Sequence, residues 1–270
     1  MLRLWIFLLI LPGMVWAEGR RPSHCIAIAD ALPSAAFVQK AAFSDPVPEG
    51  LVRISYIDHS MFLIGTAGGL RAVTDYNGWT GLIDAVPDVV TMNHAHGTHW
   101  TAAPDPRIPH VLKGWGDAEG PADHHLDLGE MLVRNVPTDI RRGAGGVETG
   151  GNSIFVFEVE GLCIGHLGHL HHEPDAAQYA ALGRLDVVMV PVDGGMTLDL
   201  PTMIRVVERL RSSVVIPMHW FGPHTLSLFL GGLSERFAVE RRRGALIEVG
   251  LRTLPDRPTV VVLQPMFLSE

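Results

Sequence analysis

The chain has 270 residues, 47% hydrophobic and 19% charged, which is ordinary globular composition and enough chain for one large domain with a buried core. A net charge of -8 and the lack of a Lys/Arg run long enough to track a phosphate backbone argue against a nucleic-acid partner. The number that stands out is 14 histidines, most of them in a few clusters.

The opening "MLRLWIFLLILPGMVWAEG" has the form of an export signal. Arg3 supplies the positive start, and the apolar stretch over residues 4–15 is short for a bilayer span. Small residues then precede Glu18, so cleavage is expected after Ala17. Residues 1–17 are expected to be a signal peptide, 18–50 a leader segment and 51–270 one domain. The mature protein is then periplasmic or secreted, with no stable membrane insertion. A short helix is expected over residues 31–42. Two cysteines, Cys25 and Cys163, can pair in an oxidising compartment. Cys163 sits in the apolar run "GLCIGH", which favours two unpaired thiols or an inert core residue.

Strands dominate the chain after residue 50. "LVRISYID" and "MFLIGT" are β-rich, and "LRAVTD" comes after them across a Gly68-Gly69 turn. "DVVTM", "HVLKGW", "EMLVRNV", "SIFVFEVEG" and "LCIGH" continue the pattern. The texture then changes to helices between buried strands: "PDAAQYAALGRL", "DVVMVPV", "LPTMIRVVERLRS", "VVIPMHW", "HTLSLFLGGLSE" and "TVVVLQP". In "LPTMIRVVERLRS" the residues Met203, Val206, Val207 and Leu210 share one helical face. This order predicts an α/β fold of two sheets covered by helices.

Three of the apolar strands run straight into histidine. "TMNHAHGTHW" carries His94, His96 and His99; "CIGHLGHLHHEPD" carries His166, His169, His171 and His172; "VVIPMHWFGPH" places His219 directly after its strand. In extended chain His94 and His96 point to one side, and Gly97 permits the turn that brings in His99. Neutral imidazoles clustered in this way can hold a metal at about 2 Å. Strand ends that are neighbours in a sheet are a usual address for such a site. His110, His124, His125, His171, His172 and His224 are expected to be exposed.

These segments resemble the metallo-β-lactamase fold, in particular the branch with ascorbate-phosphate lactonase-like hydrolases. "ISYIDHSMFLIGTAGGLRAVTD" is similar to the opening strands of that family. "TMNHAHGTHW" resembles its His-x-His-x-Asp-His signature, and "GGNSIFVFEVEGLCIGHLGHL" a segment normally carrying an Asp. "VVMVPVDGGMTLD" and "VVIPMHW" resemble the later loop and the last metal histidine. The resemblance spans about residues 51–265. It implies a four-layer αββα sandwich with metal at one edge, where zinc-activated water attacks an ester, lactone, amide or phosphodiester of a small-molecule substrate.

The departures from the family pattern bear on the metal. The signature Asp is Thr98, the usual bridging Asp is His169, and "NVPTDIRRG" lacks the expected third histidine, leaving Asp139 as nearest candidate. Two dications about 3.5–4 Å apart among mostly neutral ligands are costly in a pocket of low dielectric. One zinc ion is therefore favoured over two, with iron or no metal as alternatives. The ligand candidates are His94, His96, His99, Asp139, His166, His169 and His219. They could act as His94/His96/Asp139 or as an all-histidine set of His99, His169 and His219. Asp75 and His59 are candidates to support the ligands from behind, and Asp193 to take a proton. Asn152 is read as a turn residue. Trp100, Trp115, Trp220 and Met196 either line a substrate pocket or pack in the core. The competing functions are an accessory protein that kept the fold without hydrolysis and an iron or copper protein.

Overall fold

The computed structural model describes residues 19–27, 45–82, 84 and 86–269; the export signal at 1–17 and the helix expected over 31–42 lie outside these. One sheet contains β1 (Val52–Asp58), β2 (Met61–Gly65), β3 (Arg71–Val73), β4 (Val89–Met92), β5 (His110–Lys113) and, late in the chain, β13 (Leu246–Val249). Its order is β13-β1-β2-β3-β4-β5. The second sheet is built from β6 (His125–Asp127), β7 (Met131–Arg141), β8 (Val147–Val159), β9 (Leu162–His166), β10 (Val187–Pro191), β11 (Val214–Met218), β12 (Ala238–Arg241) and β14 (Thr259–Val262). It is ordered β12-β14-β11-β10-β9-β8-β7-β6.

Period-two alternation explains how the layers stack. Val52, Ile54, Tyr56, Phe62 and Ile64 of the first sheet meet Phe155, Phe157, Ile164, Val187, Met189 and Ile216 of the second in a shared core. The alternate residues Ile154, Val156, Val188, Val190 and Val215 point the other way, into a core shared with helices. The helices are α1 (His24–Ala27), α2 (Ala176–Leu182), α3 (Leu200–Leu210) and α4 (Pro223–Leu233). Asp199 caps α3 by accepting from the Thr202 N–H, and Met203, Val206 and Val207 are its buried face. The two-sheet sandwich expected from the sequence is present. On the far side of the first sheet, the residues packed against Ile57, Leu63, Val90 and Met92 come from loops, among them Tyr76, Ile108, Trp115 and Leu268. Among the described residues no helix covers that face.

Two features depart from the sequence reading. β12 and β13 are four-residue strands with one solvated face, too short and too polar to stand out. Cys25 and Cys163 are joined in a disulfide with Cα atoms 5.8 Å apart, which overturns the expectation of two unpaired thiols. The bond ties residues 19–27 to the second sheet. Beside it the buried Glu158 carboxylate accepts from the His24 N–H and from Arg134 Nε, at 2.9 and 2.7 Å.

Strands β3, β4 and β5 run parallel, as do β9, β10 and β11. Both sheets therefore deliver several C-terminal strand ends to the same edge of the sandwich, and the histidines lie there.

Candidate metal centre

Each residue of the centre sits just beyond a strand. His59 follows β1, Asp75 follows β3, the 94–99 stretch follows β4, His169 follows β9, Asp193 follows β10 and His219 follows β11. Three of them have left-handed backbone, with φ of 44° at His59, 48° at Asp75 and 55° at His219. Such a conformation costs about 1 kcal/mol or more in a residue with a Cβ and persists only where its surroundings enforce it. Here the His219 N–H donates to the His59 carbonyl at 2.8 Å, and the Tyr56 hydroxyl donates to the same oxygen. The first sheet is thereby stitched to the second across the site. Gly168, at φ 59°, is needed for close approach: a Cβ there would stand 2.2 Å from Asn93 Nδ2.

Five histidines converge in two overlapping groups, His59/His99/His219 and His96/His99/His169, each with donor atoms all within 4.8 Å of one another. His99 belongs to both. It is fully buried, and its Nδ1 lies 2.6 Å from Asp75 Oδ2. Asp75 itself is fixed by accepting the Asn93 N–H at 3.0 Å. With Nδ1 turned to a carboxylate, His99 has one donor nitrogen left, Nε2. One imidazole nitrogen ligates one ion, so only one trio can be complete at a time.

The partner of that nitrogen is informative. His99 Nε2 stands 3.2 Å from His219 Nε2, while His219 Nδ1 lies 2.9 Å from Asp193 Oδ2. That carboxylate is close to the ring nitrogen but out of hydrogen-bond alignment with it. If both carboxylates hold the proton on Nδ1, two bare Nε2 lone pairs face each other, an arrangement that calls for a cation between them. Two ligands at ~2.0–2.1 Å on a tetrahedral zinc ion stand ~3.3 Å apart, so the spacing and the donor chemistry both fit a metal.

Burial favours the neutral ring at His59, His96, His166 and His169. Burial, reinforced by neighbouring His219 and His99, pushes His59 down to about 3. Burial lowers His169 to about 2, and it lowers His96 and His166 as well. Metal binding requires the unprotonated imidazole. Against the opposing effect of burial, the charge and hydrogen bond of His99 hold the Asp75 carboxyl well below the usual range. His219 and the Thr197 side chain do the same for Asp193.

The remaining expected ligands stand apart. His94 is half-buried, with Nδ1 against the Gly151 carbonyl, and belongs to neither group. His166 is a buried clamp: Nε2 meets the Ser60 carbonyl at 2.7 Å and Nδ1 meets Asn93 Nδ2 at 3.2 Å. Asp139 accepts the Gly150 N–H at 2.9 Å, closing a bulge between β7 and β8. The structure therefore does not gather His94, His96 and Asp139. The rings of His99, His169 and His219 do meet, with centroids 4.6, 5.1 and 5.2 Å apart, although His169 and His219 fall in different donor groups.

Asp193 sits behind His219, taking the N–H groups of Gly195, Met196 and Thr197. A carboxylate so occupied positions an imidazole rather than taking up protons. Asn152 does more than turn the chain: its Oδ1 accepts the His169 N–H at 3.0 Å and its Nδ2 donates to Thr138 Oγ1 at 2.8 Å. The stretch that lacks a third histidine thus braces His169 instead. His171, expected to be exposed, is buried with its ring centroid 4.7 Å from that of His169. Its Nδ1 accepts the Arg141 N–H. No spacing rule signalled either His171 or Asp58, whose carboxylate residue lines the adjoining cavity.

That cavity has a volume of about 510 Å³ and opens beside His59, His96, His99, His169 and His219. Trp220 and Met196 line it, whereas Trp100 and Trp115 pack against the outer face of the first sheet.

Comparison with known proteins places the chain. The family model for the beta-lactamase superfamily domain matches residues 53–219. A UPF0173 protein of Pyrococcus abyssi is 24% identical over 220 residues, covering 71% of this chain and 91% of its own. A UPF0173 metal-dependent hydrolase of Carboxydothermus hydrogenoformans is 30% identical over 191 residues, covering 63% and 84%. Among solved structures, a candidate Zn-dependent hydrolase of the metallo-beta-lactamase superfamily from Thermotoga maritima matches with a TM-score of 0.57 at 25% identity, over 79% of this chain and 100% of that one. CmlA, a diiron β-hydroxylase from Streptomyces venezuelae, matches with a TM-score of 0.52 at 12% identity, over 77% and 55%. The last shares the fold alone, and chemistry is set by the site rather than the fold. With most of the sandwich matched, the chain belongs to the beta-lactamase superfamily and has the metallo-beta-lactamase fold.

Proposed function

We propose that this protein is an exported metal-dependent hydrolase that holds one zinc ion in the His59/His99/His219 trio and cuts an ester, lactone or phosphodiester bond in a small-molecule substrate. The observation that carries the reading is the pair of Nε2 atoms 3.2 Å apart, each on a ring whose Nδ1 is turned toward a buried carboxylate. The curated relatives named metal-dependent hydrolases support the reaction class. All-imidazole donors suit zinc among other first-row metals.

When bound, the ion supplies Lewis acidity toward a substrate oxygen and a water that is nucleophilic near neutral pH. The chain's own residues do the rest. Asp75, hydrogen-bonded to Nδ1, fixes the tautomer and tilt of His99, and the Asp193 carboxylate 2.9 Å from His219 Nδ1 favours a proton on that nitrogen. His96 and His169, on the cavity side, offer ring nitrogens to a substrate oxygen. Asp58 is the one carboxylate residue in the cavity lining and takes the role of proton acceptor in this reading. Export is supported by the form of residues 1–17 and by the Cys25–Cys163 disulfide, a bond that persists in oxidising compartments.

Metal analysis of protein purified without chelators tests the reading. The expected result is about one equivalent of zinc, with hydrolysis lost on chelation and restored by zinc. Protein that binds no transition metal, and hydrolyses none of a panel of esters, lactones and phosphodiesters after zinc is added, contradicts it.

A further inference from the structure

The lining of the cavity carries information about charge that the fold does not. Among the described residues that line it there is no Lys or Arg, although the chain contains 21 of them. Arg141 lies outside the lining, with Nη2 donating to the Gly195 and Thr197 carbonyls. The cavity wall carries one carboxylate, Asp58, and apolar surface from Met196, Trp220, Phe221 and Pro265. Phe221 is 67% exposed and Met196 60% exposed, so both offer apolar surface to a ligand. The Phe221 ring lies against the histidines themselves, its centroid 5.3 Å from that of His59 and 5.5 Å from that of His219.

We infer that this cavity takes an uncharged ester or lactone bearing an apolar, ring-sized group, and that Phe221 and Met196 select for that group. The inference rests on the hydrolase reading above and narrows its substrate from three bond types to two. A phosphodiester keeps a full negative charge through binding and reaction. Enzymes that handle it surround it with Arg, Lys or several metal ions. Here one ion would face that charge, with no cationic side chain in support and Asp58 opposing it. A neutral acyl substrate meets no such penalty, and its apolar group covers Phe221 and Met196, which water otherwise wets.

The reaction balances simply. The water oxygen bonds to the acyl carbon, and the bond from that carbon to the alcohol oxygen breaks. The departing oxygen keeps the electron pair and takes one proton. The acid product loses its own proton to solvent.

Two probes of similar size separate the alternatives: 3,4-dihydro-2-quinolinone, a lactam isostere of the lactone dihydrocoumarin, and methyl phenyl phosphate, a singly charged phosphodiester. Calorimetric titration of the zinc-loaded protein is expected to give binding about 10-fold tighter for the lactam, the size of effect that a few matched apolar contacts supply. Phe221→Ala should weaken lactam binding about 5–10-fold while leaving zinc content unchanged. Phe221→Arg should weaken the lactam and strengthen the phosphodiester. Tighter binding of the phosphodiester by the wild type, or lactam binding indifferent to both Phe221 variants, overturns the inference and leaves the hydrolase reading in place. Lactam binding as expected, with no turnover by the zinc-loaded protein of any member of a panel of esters, lactones and phosphodiesters, upholds the cavity assignment and removes the hydrolase reading instead.

Discussion

The two ends of the stretch "HAHGTH" share a residue type but have opposite surroundings. His99 is fully buried, its Nδ1 is 2.6 Å from Asp75, and its Nε2 faces His219. His94 is half-buried, turns Nδ1 to a backbone carbonyl and joins neither histidine group. Sequence spacing makes both rings candidates. What separates them is a buried carboxylate behind one ring, which fixes the tautomer and leaves a single nitrogen aimed at the centre.

Removing each ring in turn probes that difference most directly. His99→Ala takes a donor from both trios, so metal content and hydrolysis should fall to background. Retention of stoichiometric metal in that variant, measured by elemental analysis, would put the ion elsewhere. Asp75→Asn keeps the shape and removes the charge behind His99. Its affinity for zinc should drop about 10- to 100-fold in competition with a chromophoric chelator, the usual cost of losing such support. An unchanged affinity would make Asp75 a backbone anchor for Asn93 and nothing more.

Acid should expose the same imbalance between buried rings and carboxylates. Burial holds His59 at about 3 and His171 at about 4, below the ordinary imidazole value of about 6.5. The unfolded chain therefore takes up protons first as pH falls. Stability of metal-free protein from these rings is complete above about pH 6.5 and declines from there toward about pH 3. A urea midpoint that does not move between about pH 7.5 and about pH 5 would contradict the buried, neutral state of these rings. The smallest effect belongs to His94→Ala, which should change zinc affinity less than about 3-fold, far below the cost expected of a ligand. A loss as large as that of the His99 variant would erase the distinction between the two ends.

How much of the fold and the site is legible in the sequence depends on the range of each interaction. Continuous apolar runs announce β8, β10 and β11, because both faces of those strands are covered. The spacing of Met203, Val206 and Val207 announces the buried face of α3. Asp75 is readable as a support because it ends a strand close to the histidine motif. The choice among ligand sets is not readable. It depends on His59 from the first sheet meeting His219 from the second through left-handed backbone at both residues, a conformation that neither residue type signals. The Cys25–Cys163 bond is hidden for the same reason, since its partners lie 138 residues apart. Asp193 looks like a proton acceptor by its place after β10; only the N–H groups gathered around it reveal an anchor.

Locating the ion decides among these ligand sets. Crystals of the zinc-loaded protein, measured on both sides of the zinc absorption edge, should show one anomalous peak at about 2 Å from both His99 Nε2 and His219 Nε2. A peak bound instead by His94 and Asp139, or no peak in protein that hydrolyses its substrate, would contradict the account.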